Sequence, residues 1–286
     1  MNPTLQNHIH DTFGNIITSK PLSGGDISTV YHIQTTNADL VAKVTPTYQQ
    51  GQLLTAEAKG LNLLAKQNTI AVPDVYELTN LDEVTALIMA YVPTKPVEDK
   101  DMVRLGQDLA ALHQCMGTQY GLKHDNFIGV LPQSNQSHNR WAEFYTNERL
   151  LPQFKTANEN GLLNSSEIPK VDIIIDTIKQ YTEHTEPTLL HGDLWRGNYL
   201  IHEDGTPFLI DPAIYYGHSA VDIAMTKLFG GFSKDFYEAY HEIIPDSSNA
   251  QVQIDLYQLY YLLAHLNMFG LSYKGSVIQI VNRYFR

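Results

Sequence analysis

The sequence predicts an α+β protein of two lobes, a small N-terminal lobe built on an antiparallel sheet with one key helix and a larger, mainly helical C-terminal lobe. Three observations carry this. Short β-favouring runs crowd the first ninety residues, with one helical stretch among them. Helical spacing dominates from residue 99 onward, interrupted by a single inserted hairpin. Pro93, Lys95 and Pro96 break the chain between the two regimes, dividing it into 1–92 and 93–286.

In chain order, residues 1–18 read as a short amphipathic helix and its lead-in. Two strand-like pieces then flank Gly24 and Gly25, and Val30, Tyr31 and Ile33 favour strand. Glycines let backbone N–H groups approach an anion. The pair has neither the Walker spacing nor GxGxxG, so taken alone a plain hairpin turn is the better reading, and Asp26 would repel phosphate unless it hydrogen-bonds backbone or faces away. Leu40 to Val44 is a strand carrying a lysine. Alternation places Lys43 with Val41, opposite Ala42 and Val44. In the helix that follows, Leu54, Leu61 and Leu64 share one face, and Glu57 lies on it too. A glutamate there either reaches water at the edge of the stripe or needs a cation, for which Lys43 is the candidate. After a strand beginning near Val72 and a turn at residues 80–83, Ala86 to Val92 is a buried strand. Its end, at Ala90, Tyr91 and Val92, offers backbone groups to a planar base.

From residue 99 a helix ends at His113, expected as a packed or capping residue. Residues 120–135 read as a long irregular loop rich in Asn, Gly and aromatics, the kind of segment that often carries function. A helix starts at Trp141 and reaches about Leu151. Another covers 171–184. Tyr215 to His218 is read as a loop, and Asp222 stands near the start of a helix, where a carboxylate is stabilised.

The stretch from Leu189 to Asp222 organises the rest. His191-Gly192-Asp193 is followed by Asn198 five residues later, then by a hairpin around Asp204-Gly205, then by Asp211 after an apolar strand. Such a hairpin is expected to return Asn198 near Asp211. Asn198 and Asp211 can bind a hard divalent cation through oxygen, leaving Asp193 to accept a proton from a hydroxyl. Phosphoryl transfer needs this division of labour. Each residue alone suits an acidic surface loop; the ordered combination points to a phosphotransferase site.

Composition excludes other classes. The 286 residues are 43% hydrophobic, ample for a core, and the net charge of −12 argues against nucleic acid or an anionic membrane as partner. One cysteine, Cys115, permits no internal disulfide and suits a reducing cytoplasm. The first residues lack a signal-peptide pattern, and no apolar run approaches a membrane span.

At HGDLWRGN and FLIDPAIYYGHS the chain resembles the fructosamine kinase family, ketosamine kinases in the aminoglycoside phosphotransferase and choline kinase-like branch of the protein-kinase fold. The GGD loop, the EAKGL helix, the DNFIG–LPQ-N loop, the WAEFY–RLLPQ helix and YQLYYLLAHLNMFG resemble family segments over nearly the whole chain. The resemblance implies a protein-kinase-like fold and transfer of phosphate from ATP, with Mg²⁺, to the 3-hydroxyl of a ketosamine on free lysine adducts or glycated protein. It implies Asp193 as catalytic base, Asn198 and Asp211 as magnesium ligands, Lys43 and Glu57 as the phosphate anchor, Ala90 to Val92 as the adenine hinge, and Gly24 and Gly25 as the nucleotide loop. Asn126 and His218 are candidate substrate contacts by loop position. Arg196 stands where serine is more often expected and is a third candidate. Kinases of the same fold acting on an aminoglycoside, choline or a thiosugar are the alternative, and a nucleotide-binding protein without catalysis is a second.

Overall fold

A computed structural model describes the chain except residues 23–27, 47, 82, 83, 183, 184 and 231, and except the side chains of 48–50. By compactness it falls into two units, Met1–Val97 with Leu200–Pro212, and Glu98–Tyr199 with Ala213–Arg286. The first unit thus continues past Val92 and takes in the segment that ends at Asp211-Pro212.

In the first unit, helix α1 (Pro3–Phe13) starts at Asn2, whose side chain accepts from the Thr4 and Leu5 amides. Strands β1 (Ile16–Leu22), β2 (Thr29–Thr35) and β3 (Asp39–Thr45) follow, then helix α2 (Tyr48–Ala65) and strands β4 (Val75–Leu81) and β5 (Val84–Ala90). They form one five-stranded antiparallel sheet in the order β1-β2-β3-β5-β4. The expected alternation of β3 holds. Leu40, Ala42 and Val44 are buried with Leu5 and Ile9 of α1, whereas Val41 and Lys43 face the other way and are half-buried. Helix α2 buries Leu54, Leu61 and Leu64, each contributing about 2 kcal/mol.

In the second unit, α3 (Asp99–Leu112) closes its first turn with a capping box between Glu98 and Asp101. Residues 120–135, expected as irregular, contain a small antiparallel hairpin, β6 (Asn126–Ile128) and β7 (Leu131–Gln133), in which Asn126 pairs with Gln133. A helical run then extends beyond the expected end at Leu151. It comprises α4 (Trp141–Phe144), a π-helical segment Tyr145–Leu150 and α5 (Leu151–Glu159). Pro152 does not end the run: it falls where the π-helical segment passes into α5 and the hydrogen-bond register changes. Helix α6 (Val171–Tyr181) leads to β8 (Thr188–Leu190), and β9 (Tyr199–Ile201) forms the expected hairpin with β10 (Pro207–Leu209). From Leu200 to Pro212 this hairpin belongs to the first unit, within which Phe208 bridges to Ala71 and His202 to Thr94. Tyr215–Gly217, expected as loop, is a strand, β11, that pairs with β8. The reason is non-local: its ladder partner lies some 25 residues earlier, beyond the reach of a local pattern. Helices α7 (Ala220–Leu228), α8 (Lys234–Ile243), α9 (Ala250–Phe269) and α10 (Lys274–Tyr284) complete the unit. Helix α9 is apolar nearly all round and buries Tyr257, Leu259, Tyr260, Tyr261, Leu263 and Leu266 at the centre of the core. Among the described residues no helix is long and apolar enough to cross a membrane.

Helices α3 and α8 approach closely at Gly106, where an added Cβ would lie 2.4 Å from the Phe236 carbonyl oxygen. Gly106→Ala is expected to destabilise the protein by about 1–3 kcal/mol through overpacking. Gly275→Ala, on α10 with open space at the Cβ position, is expected to stabilise by about 0.5–1 kcal/mol. Chemical denaturation of the two variants checks both signs.

Candidate active site

The predicted site residues fall into two groups, one in each unit. In the first unit, Lys43 projects from the middle of β3, where it lies opposite Val30 and Leu87 in the register. Its Nζ donates to Glu57 Oε1 at 2.7 Å and also contacts Asp211 Oδ1. The Lys43 and Glu57 side chains keep only 12% and 14% of their exposure, and Asp211 keeps 38%. Two carboxylates flank the enclosed Lys43 side chain. Glu57 is therefore an ion-pair partner rather than an edge residue with its head in water. Asp211 adopts left-handed backbone, with φ of 56°. Asp tolerates this region better than most residues, and such strain concentrates at functional sites. The strain turns the chain sharply just after β10 and aims the carboxylate at Lys43.

At the end of β5, the Ala90 amide donates to Asp74 O and the Tyr91 amide to Asp39 O, at 2.9 and 3.1 Å. The Tyr91 ring stacks on His32 with centroids 3.8 Å apart. Val92 is buried. Gly24, Gly25 and Asp26 lie outside the described residues.

In the second unit, the His191-Gly192-Asp193 loop follows β8. It is held from three sides. Asp222, fully buried in the first turn of α7, accepts from the His191 amide at 2.8 Å and the Gly192 amide at 2.9 Å. The Tyr261 hydroxyl of α9 donates to Gly192 O at 2.8 Å, and the Ala213 amide donates to His191 O at 2.8 Å. Only glycine fits at 192: its φ is +83°, and a Cβ would lie 2.1 Å from Ala213 O. Asp193 then presents a half-buried carboxyl. Asn198 uses its Nδ2 on Asp193, donating to the backbone oxygen at 2.8 Å and to Oδ2 at 3.3 Å. This leaves the Asn198 amide oxygen as an acceptor for a cation.

Burial and the nearby Asp222 charge push the Asp193 carboxyl up to about 7, against the opposing hydrogen bond of Asn198. A carboxyl so placed can take up or release a proton near neutrality. Burial alone would raise Asp222 as well, but His113, His191 and the Gly192 amide hold its carboxyl below the usual range. His113 sits at the C-terminal end of α3, packed and capping as expected. Its Nε2 lies 3.1 Å from Asp222 Oδ2 and its Nδ1 2.8 Å from the Tyr240 hydroxyl. Burial keeps Tyr240 protonated, and the ring directs Nε2–H to the Asp222 carboxylate. Sequence reading placed Asp222 at a helix start but did not connect it with the loop. The available signal was an acidic residue among apolar neighbours, Val221, Ile223 and Ala224.

The three candidate substrate contacts differ. Asn126 is buried, with its Nδ2 donating to Ile214 O at 2.8 Å and its Oδ1 accepting from Gln133 and Asn135. His218 is half-buried, 2.6 Å from the Tyr257 hydroxyl, and burial drives its imidazole down to about 3, so it is neutral. Arg196 is exposed in a short 3-10 turn.

An antiparallel sheet with a lysine–glutamate pair, together with a helical unit carrying an HGD loop, defines a phosphotransferase of the protein-kinase-like fold. The sequence profile described as fructosamine kinase matches residues 1–286, and the chain belongs to that family. It is 36% identical over 266 residues to the probable ketoamine kinase of Enterococcus faecium, covering 92% of this chain and 94% of that one. It is 38% identical over 267 residues to that of Vibrio parahaemolyticus, covering 92% and 90%. The crystal structure of the candidate fructosamine-3-kinase of Haemophilus somnus superposes with a TM-score of 0.87 at 27% identity, over 99% of this chain and 97% of that one. A thermostable mutant of aminoglycoside phosphotransferase APH(4)-Ia, in ternary complex with AMP-PNP and hygromycin B, shares the fold at a TM-score of 0.65 and 16% identity, over 98% of each chain.

The raised Asp193 carboxyl has a consequence for stability. Between pH 4 and 7 the folded protein keeps a proton that the unfolded chain has released, so ionising Asp193 costs folded-state stability as pH rises through that window. Asp193→Asn removes this cost. The ligand-free variant is expected to melt several degrees above the parent at pH 8, with the difference fading toward pH 4. Thermal melts across that range check it.

Proposed function

We propose that this protein transfers the γ-phosphoryl group of ATP to the 3-hydroxyl of a ketosamine, a fructosamine or ribulosamine adduct of lysine, free or on glycated protein. The observation that carries this reading is Lys43 held by both Glu57 and Asp211. A lysine fixed in this way is presented to phosphate oxygens, while the hinge end of β5 serves adenine. With the Ala90 and Tyr91 amides already in sheet bonds, Val92 is the hinge donor.

The residues suit a magnesium ion that arrives with the nucleotide. Asp211 meets Lys43 through Oδ1 and would offer its other carboxylate oxygen, and Asn198 would offer its amide oxygen. Among the described residues there is no cluster of three or more His, Cys, Asp or Glu able to hold a metal alone. Two protein oxygens plus phosphate is the usual donor set for magnesium. When bound, the ion neutralises charge on the transferring phosphoryl group. Asp193 orients the sugar hydroxyl and takes its proton as the hydroxyl oxygen bonds to the γ-phosphorus. The bond from that phosphorus to the bridging oxygen breaks, and ADP leaves. The 3-phosphorylated product then decomposes and frees the amine, a deglycation. The setting we propose is the cytoplasm, where Cys115, a free thiol, stays reduced.

Turnover is measured by a coupled ADP assay on fructoselysine, ribuloselysine, a glycated peptide, kanamycin and choline. The expected result is activity confined to the ketosamines. Activity on kanamycin or choline alone overturns the substrate assignment, and ATP binding without any turnover overturns catalysis. Asp193→Asn is expected to lower kcat at least about a thousandfold while nucleotide binding survives. Asp211→Ala is expected to lose turnover that excess magnesium does not restore.

A further inference from the structure

One buried polar cluster in the second unit has no part in the chemistry described, yet it touches the frame of the Asp193 loop. It is built on the β6–β7 hairpin and the π-helical segment. The Gln133 Nε2 donates to Asn126 Oδ1 at 2.7 Å and to Ala213 O at 3.2 Å. Its Oε1 accepts from the Tyr260 hydroxyl at 2.6 Å. The Asn135 Nδ2 donates to Asn126 Oδ1 at 2.9 Å, and the Asn135 Oδ1 accepts from Arg149 Nη2 at 2.7 Å. Arg149 is fully buried, its guanidinium 3.9 Å from the centre of the Tyr215 ring and 4.7 Å from that of Phe144.

Every amide in this chain of contacts has one allowed orientation. Arg149 can only donate, so the Asn135 amide turns its oxygen to it and its nitrogen to Asn126. Asn126 Oδ1 therefore accepts, and its Nδ2 is directed to Ile214 O. Gln133 must then turn its nitrogen toward Asn126 and Ala213, and Tyr260 secures the other end. The output of the cluster is the backbone of residues 213 and 214. That backbone is also where the HGD loop rests: the Ala213 amide donates to His191 O, and Ala213 O is the atom that excludes a Cβ at 192.

We infer that Gln133 is a positioning residue for phosphoryl transfer, setting Ala213 and through it the seat of the loop that carries Asp193. Asn126 belongs to the same bracket, as a structural partner of Gln133. The inference rests on the assignment of Asp193 as proton acceptor. A cluster that merely stabilised the hairpin would affect folding and all functions alike. A positioning bracket instead affects the step that needs Asp193 and leaves nucleotide binding intact.

The test compares Gln133→Leu, which removes every side-chain hydrogen bond of Gln133, with Tyr260→Phe, which removes one hydroxyl and keeps the ring. With a ketosamine and ATP below the melting temperature, Gln133→Leu is expected to lower kcat about tenfold or more. Tyr260→Phe is expected to lower it about threefold. In both, nucleotide affinity measured by calorimetry stays within twofold of the parent, and KM for the ketosamine within threefold. Folded Gln133→Leu with kcat within twofold of the parent overturns the inference. So does a parallel fall in kcat and nucleotide affinity, in either variant, which marks a structural role. A parent protein that turns over none of the ketosamines overturns the proposed function itself, and this inference with it.

Discussion

The second unit depends on one buried carboxylate. Asp222 accepts two consecutive backbone amides and one imidazole N–H, with no exposure to water. Hydrogen bonds to a charged group contribute about 1.5–3 kcal/mol each, and an ionised carboxylate without them would cost several kcal/mol. The arrangement is therefore all or nothing. With its partners in place Asp222 fixes His191 and Gly192 as firmly as a sheet would, although they lie in a loop. Burial first, and then the Asp222 charge, push the Asp193 carboxyl toward neutrality. Asp222 thus fixes the geometry of the loop and adds to the shift that burial imposes on Asp193.

The charge pattern elsewhere follows the same logic. A protein with 31 acidic and 19 basic residues has little general attraction for phosphate. One lysine is set apart locally: Lys43 is enclosed by Glu57 and Asp211. Pairing holds the ammonium in one place, and the left-handed backbone of Asp211 shows that this placement is maintained against local preference. An acidic chain with one enclosed lysine suits a kinase in which positioning, rather than general charge, holds the phosphates.

Local pattern revealed much of this in advance. The alternation of β3 placed Lys43, the spacing of α2 placed Glu57, and the Asp-Gly turn placed the hairpin before Asp211. Each rests on contacts between near neighbours in sequence. What sequence missed depends on distant partners. β11 exists because β8 offers a ladder, and the loop 120–135 is ordered because Asn126, Gln133 and Asn135 find Arg149, Ala213 and Ile214. Polar residues in such a loop look like ligand contacts until their partners are seen. Asn126, a candidate contact by loop position, has its amide engaged by the protein. Asp222 was legible as a helix start and illegible as a clamp, because the amides it holds lie 30 and 31 residues away.

Amide hydrogen exchange tests the clamp most directly, since it needs neither substrate nor nucleotide. If Asp222 holds the loop, the His191 and Gly192 amides exchange as slowly as the core of α9, through opening of the whole unit, and Asp222→Asn speeds them selectively. Exchange of these two amides in the unaltered protein at the rate of an exposed loop would contradict the account.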